Sequence, residues 1–297
     1  MQISIENLNK VYPNGNWALK DINLEIPNGM FGLLGPNGAG KSTLMRILVT
    51  LMKPSSGKVT VNHLDLMKNR REIRSMLGYL PQDFRFFAKL KTWEFLDYTA
   101  RLAGMKNRSQ RNQAVDRMLE EVGLFEARDR NANRLSGGMK RRLGIAQALI
   151  NDPKIIIVDE PTTGLDPEER IRFRNLLSTI STRDVIIILS THIVGDISST
   201  CDNMALLNRG KLAFAGSPEQ LVKEAEGHVW LIKATEREYL EINEKFPVIS
   251  TIPAESGWEI QVVADSINGY YGHPIEPNLE HAYVYFMENK LNQWTTA

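Results

Sequence analysis

The 297-residue chain has one cysteine, Cys201, so no disulfide can form within it and no cysteine-based zinc site can be built. A lone thiol fits a reducing compartment. No apolar run approaches the ~20 residues a membrane-crossing helix needs. The longest, Val185-Ile186-Ile187-Ile188-Leu189, suits a buried parallel strand. The opening Met1–Leu8 lacks a basic stretch followed by an apolar one, and alternates like a strand rather than a leader. The expectation is a chain that spans no membrane and reaches one only through a partner. Charge of one sign is also missing, with 36 Lys and Arg against 35 Asp and Glu. No basic run is interleaved with aromatics, so nucleic acid is not an expected partner. No internal repeat or low-complexity segment is present.

What is present reads as a globular α/β chain with a smaller appendix. Apolar residues make up 42% and charged residues 24%, enough for a sizeable core. The charge is uneven: residues 1–223 hold 32 Lys and Arg against 23 acids, while 224–297 hold 4 against 12. That break places a boundary between 1–223 and 224–297.

Gly35-Pro36-Asn37-Gly38-Ala39-Gly40-Lys41-Ser42-Thr43 fits G-x-x-x-x-G-K-[ST]. The apolar Met30–Leu34 precedes it as a strand, and Leu44–Leu48 follows as a helix. Glycines let the backbone approach an anion, successive N–H groups form a nest, and the helix dipole favours negative charge there. Lys41 would reach the β- and γ-phosphates of a nucleotide, and the Ser42 hydroxyl would hold Mg2+.

Three further strands end in polar side chains. Ile155-Ile156-Ile157-Val158 reads as fully buried and ends in Asp159-Glu160, where open α/β sheets place ligands. Buried carboxylates there need a cation or a reaction to offset their desolvation. Asp159 suits Mg2+, and Glu160 suits a base that orients water against a γ-phosphate. Met76–Leu80 runs into Pro81-Gln82, and Val185–Leu189 into Ser190-Thr191-His192. Gln82 is either solvated or aimed at the site, and His192 either structural or part of the same edge. Tyr12, in the turn Val11–Gly15, is an exposed aromatic that either packs or offers a stacking platform.

Between Lys91 and Leu149 the period is helical, with Thr92 as a cap for a helix to Leu102 and a second helix over Gln113–Val122. This block closes at Leu135-Ser136-Gly137-Gly138-Met139, and Leu143, Ile145, Ala146 and Leu149 follow at helical spacing. Ser136-Gly137-Gly138 is either a flexible N-cap or a second anion-binding helix start. Beyond Ser217-Pro218-Glu219, which opens a linking helix, the pattern becomes short strands and helices. The last of these helices covers Pro277–Leu291. Val229, Leu231, Tyr239, Phe246, Ile260, Val262, Tyr283 and Phe286 are its expected core.

In this order the pieces resemble the ATP-binding cassette (ABC) ATPases over roughly residues 2–223. The resemblance implies a P-loop NTPase core with an inserted helical subdomain at about 84–150. It also implies an antiparallel N-terminal sheet and, at 224–297, a small α+β extension. It makes Tyr12 an adenine-stacking residue, Gln82 the Q-loop glutamine that also meets the metal, and His192 the switch histidine. Asp166 falls in the D-loop, and Ser136, Gly137 and Gly138 in the signature loop. Two cassettes are then expected to sandwich two ATPs, each P-loop facing the other's Ser136. Catalysis is expected from Glu160, His192, Gln82 and Lys41; the metal is expected on Ser42, Gln82 and Asp159.

Met139 departs from the family's commonest signature residue, Gln. Met followed by basic residues is similar to the drug- and lipid-exporting branch with separately encoded membrane subunits. Pro277–Tyr283 also looks like that branch's extension. The implied role is an ATP-hydrolysing exporter subunit, peripheral on the cytoplasmic face, partnered by a second cassette and transmembrane permease chains. The alternative is an ABC ATPase with a regulatory role outside transport. One Walker A and one signature argue against a two-cassette translation factor, and the short Gly40–Leu135 interval argues against a chromosome-structure ATPase.

Overall fold

The computed structural model describes residues 1–85, 89–254 and 257–290. The chain forms two compact units, residues 1–192 with 200–215, and residues 193–199 with 216–297.

In the first unit, β1 (Ile3–Val11) and β2 (Trp17–Ile26) pair antiparallel, Ile3 opposite Ile26 and Ile5 opposite Leu24. Both run further toward their connecting turn than the sequence pattern indicates, because Lys10 and Val11 still pair with Leu19 and Trp17. Next come β3 (Gly29–Leu34) and α1 (Lys41–Leu48), the P-loop helix. β4 (Ser56–Val61) and β5 (Leu64–Asp65) return to the first sheet, whose order is β2-β1-β4-β5. α2 (Arg70–Ser75) leads to β6 (Leu77–Leu80).

The expected helical insertion follows, with α3 (Thr92–Leu102), α4 (Arg108–Glu121) and α5 (Gly137–Leu149). Thr92 is not the cap. It is the first helical residue, and its buried hydroxyl donates to Arg130 O at 3.0 Å. Lys91 holds the cap position, and its N–H is satisfied by the Glu94 carboxylate at 2.8 Å.

β7 (Ile155–Asp159), α6 (Pro167–Ser181), β8 (Ile186–Thr191) and the hairpin β9 (Asn203–Asn208)–β10 (Lys211–Gly216) complete a sheet of order β10-β9-β3-β8-β7-β6. β3 is parallel to β8 and β9, and β7 to β6 and β8. All five strands therefore end at one edge of the sheet. β7 and β8 are buried along their whole length, as central parallel strands must be. Ile5, Leu19, Leu44, Ile157 and Ile188 share one core that joins the two sheets and α1.

In the second unit, α7 (Val194–Ser198), α8 (Pro218–Lys223) and α10 (Leu279–Tyr285) pack together, α10 touching both of the others. Ser217 accepts from Gln220 N and caps α8. β11 (Val229–Ala234), β12 (Val248–Ala254), β13 (Gly257–Val263) and β14 (Gly272–Pro274) form an antiparallel sheet ordered β12-β13-β11-β14. α9 (Glu236–Lys245) covers it, and Ile232, Ile242, Ile260 and Val262 make its core.

The last helix differs from expectation. Pro277 lies outside it, Asn278 caps it, and it passes into a π-helical turn over Phe286–Lys290. Leu291 lies outside the described residues. Of the expected core, Val229, Ile260, Val262 and Phe286 are buried, whereas Leu231, Tyr239, Phe246 and Tyr283 are half-buried. His228 stands just before β11 rather than in it, stacked on Tyr285 at 4.5 Å. Among the described residues no helix is long and apolar enough to cross a membrane.

Candidate functional site

The shared strand edge gathers the polar residues that the sequence singles out. The P-loop follows β3, Gln82 follows β6, Asp159 and Glu160 end β7, and His192 follows β8. An open cleft of about 470 Å3 lies there, lined by Tyr12, Asn37 to Thr43, Gln82 and Glu160.

The P-loop is held by close backbone approach. Gly40 has φ +107°, and a Cβ there would sit 2.6 Å from Ala18 O. Gly210 N donates to Ala39 O at 3.0 Å, so the β9–β10 turn is fastened to the loop from the other side. Only glycine satisfies both the left-handed φ and that clearance.

Lys41 is buried. Its Nζ lies 2.6 Å from Gly35 O, 3.3 Å from Pro36 O and 3.3 Å from Glu160 Oε1. Glu160 is buried as well, and its other oxygen, Oε2, lies 2.7 Å from His192 Nδ1 and accepts from Thr163 Oγ1 at 3.1 Å.

The backbone at Glu160 is left-handed, with φ 48°. Such a conformation costs a non-glycine residue about 1–3 kcal/mol and persists only where its surroundings over-determine it. Here the Glu160 N–H donates to both Ser190 O and Ser190 Oγ at 3.1 Å. Ser190 Oγ in turn donates to Asp159 Oδ1 at 2.5 Å, so one serine holds both carboxylate residues.

Ser42 Oγ lies 3.5 Å from Asp159 Oδ1. A hydroxyl and a buried carboxylate facing each other are hard oxygen donors of the kind that suit Mg2+, and Gln82 lines the cleft beside Ser42. The Tyr79 hydroxyl on β6 is pushed up to about 12 by burial first and by Asp159 second, so it stays a neutral donor or acceptor.

Tyr12 is half-buried rather than exposed, because its hydroxyl lies 3.1 Å from Thr43 Oγ1. Its ring still lines the cleft. Ser136, Gly137, Gly138 and Asp166 do not line it. Ser136 caps α5 by accepting from Met139 N at 3.2 Å, and Asp166 caps α6 by accepting from Glu169 N at 2.8 Å.

The cleft also contains residues that sequence reasoning missed. Trp17, 49% exposed, and Lys20 approach it from β2, and Arg209 from the β9–β10 turn. Asn208-Arg209-Gly210 has the composition of a turn, but its meeting with the P-loop is a long-range contact that no local pattern carries. Thr163 and Ser190 stand beside motif residues, and the sequence assigns them no role.

The ABC transporter family model matches residues 19–163. An ABC transporter ATP-binding protein of Bacillus subtilis is 33% identical over 263 residues, covering 87% of this chain and 86% of that protein. One from Synechocystis is 36% identical over 242 residues, covering 78% and 68%. ABC transporter A family member 5 of Arabidopsis thaliana is 38% identical over 247 residues, which are 80% of this chain and 26% of that protein. Among solved structures, cbiO1 of Clostridium perfringens, part of the ABC transporter complex cbiONQ, has a TM-score of 0.69 at 29% identity, over 82% of this chain and 94% of its own. A dimeric ATP-binding cassette in a post-hydrolysis state, bound to ADP and Pi, has a TM-score of 0.66 at 26% identity, over 72% and 98%.

Proposed function

The chain belongs to the ABC transporter ATP-binding proteins, ATPases that work as dimers, and on that premise we propose that it drives an exporter whose membrane-spanning subunits are separate chains. The observation that carries the chemical reading is the meeting of Lys41 and His192 on one carboxylate, with Lys41 Nζ 3.3 Å from Glu160 Oε1 and His192 Nδ1 2.7 Å from Glu160 Oε2.

ATP enters with its base on Tyr12 and its phosphates on the amides of Gly38 to Thr43. Lys41 then exchanges the Gly35 carbonyl and Glu160 for the β- and γ-phosphates. That exchange frees the Glu160 carboxylate to orient water and accept its proton, while His192 holds the other oxygen of the same carboxylate. Ser42 and Asp159, with Gln82, are the residues that would hold Mg2+, which when bound spreads the charge of the β- and γ-phosphates.

The signature turn of Ser136 to Gly138 and Asp166 serve the partner cassette's nucleotide. Their distance from this chain's own cleft supports that reading. The export direction rests on Met139-Lys140-Arg141-Arg142, which resembles the exporting branch. We place the cassette at 1–223 and an accessory region at 224–297, working at the cytoplasmic face beside permease subunits. The division into two compact units supports it, although α7 and α8 lie with the accessory side.

Glu160→Gln tests the reading. It keeps the shape and removes the base, so hydrolysis falls about 10²–10⁴-fold while ATP still binds and the ATP-bound dimer accumulates. Turnover at the wild-type rate, in a preparation free of other ATPases, would remove Glu160 from the role of base.

A further inference from the structure

Arg141 stands at the fifth position of α5, one turn beyond the Ser136 cap. Its guanidinium reaches out of the helical insertion to four backbone carbonyls on two other segments. Nε donates to Pro161 O at 2.9 Å and Nη2 to Glu160 O at 2.9 Å. Nη1 donates to Gln82 O at 2.7 Å and to Pro81 O at 3.3 Å. A planar fork with five donors is the side chain that can bridge two chain segments at fixed geometry; an ammonium cannot. Arg141 is half-buried, and burial draws its affinity for the proton down, with Asp83, Asp159 and Glu160 opposing that.

The consequence lies at Glu160. Its left-handed backbone is held on the N–H side by Ser190 and on the carbonyl side by Arg141. The same guanidinium holds the backbone of Gln82, whose side chain lines the cleft. We propose that Arg141 is a positioning residue for hydrolysis, setting the Glu160 carboxylate and Gln82 together and making both answer to the placement of α5. This rests on Glu160 being the base. Arg141 does not line the cleft, so it acts through the two residues it holds.

The test uses the full chain and compares Arg141→Met, Arg141→Lys and Glu160→Gln. The measurements are kcat and KM for Mg-ATP, the affinity for a non-hydrolysable ATP analogue, and the thermal midpoint. Misplacing a catalytic group by about 1 Å costs on the order of 10²-fold, so Arg141→Met is expected to lower kcat by about 10–10²-fold. KM and analogue affinity stay within about threefold, because the P-loop and Tyr12 are untouched. Arg141→Lys restores only part of the rate, since one ammonium cannot reach both segments. In the Glu160→Gln background, Arg141→Met costs less than it does in the wild type, because the part of its effect that runs through that carboxylate is already lost.

Unchanged kcat in folded Arg141→Met overturns the proposal. So does a parallel fall in kcat and analogue affinity, or full additivity with Glu160→Gln. Should Arg141→Met fail to fold, Arg141→Lys carries the same split, and wild-type kcat in it overturns the proposal. Wild-type turnover in Glu160→Gln is a separate result, because it removes the base assignment whatever Arg141 does.

Discussion

His281 shows how finely one side chain is set. It is 5% exposed, its Nδ1 accepts from Asn278 N at 3.2 Å, and its Nε2 lies 3.0 Å from Gln261 Oε1. Those partners select the neutral tautomer with the proton on Nε2, donating to Gln261. Burial lowers its affinity for a proton, with Glu280 opposing weakly. The folded group therefore titrates below the unfolded one, whose value is about 6.5. Above that pH neither state binds the proton and stability is full. As pH falls below it the unfolded chain gains a proton first, and stability is lost. Urea midpoints at pH 7.5 and 5.5 are expected to drop more for the wild type than for His281→Gln, and equal drops would place the pH sensitivity elsewhere.

The Asn-x-x-His spacing around this histidine is visible in the chain, but its burial against Gln261 is not. The same division holds at the cleft. Asp159, Glu160, Gln82 and His192 are legible because each ends or directly follows a strand and parallel strands end at one edge, and Lys41 because the glycine-rich pattern opens a helix behind such a strand. The grip of Lys41 on Glu160, of Ser190 on Asp159 and of Arg141 on two loops is not. Each joins residues far apart in sequence, through side chains whose reach no periodicity encodes.

At the scale of the element, α5 carries two demands at its start. Ser136 caps it, and the same turn is proposed to meet the partner's phosphate. Ser136→Ala is expected to cost about 1 kcal/mol in monomer stability from the lost cap. It is also expected to abolish most of the ATP-driven dimer in a Glu160→Gln background. Sedimentation with and without ATP, beside a urea titration, separates these effects; a dimer that forms normally removes Ser136 from the shared site. Gly138→Asp is a poorer probe, because a Cβ at Gly138 would run into the Glu169 side chain of the same chain. Asp166-Pro167 has the cap and first-turn proline that open α6, and the isoleucine run makes β7, since caps and buried strands are written locally. The start of α3 is less legible, because at its cap the Lys91 backbone N–H donates to the Glu94 carboxylate, a bond that asks for no capping side chain.

At the scale of the whole molecule, no residue lining the cleft lies beyond Arg209 among the described residues. A chain ending at Lys223 is expected to bind ATP within about threefold of the full chain while losing dimer population or assembly with the membrane partner. Calorimetry and sedimentation check the two halves, and lost ATP binding in a folded product would move the proposed boundary. Such a cut also strips α10 from α7 and α8, the two helices it packs against in the intact chain. The charge break near 224 marked the change of composition. It could not show that residues 193–199 lie with the C-terminal unit, since seven residues are too few to alter a local composition.

That discontinuity bears on synthesis. α7 leaves the ribosome about 80 residues ahead of α10, the helix it packs against. At roughly 5–20 residues per second the interval is roughly 4–16 s. For that time the nascent chain holds the partner of a helix not yet made, and the second unit can close only once α10 has been added. A ribosome stalled before residue 279 would therefore display α7 uncovered by α10, a natural handle for a chaperone that guards unfinished chains.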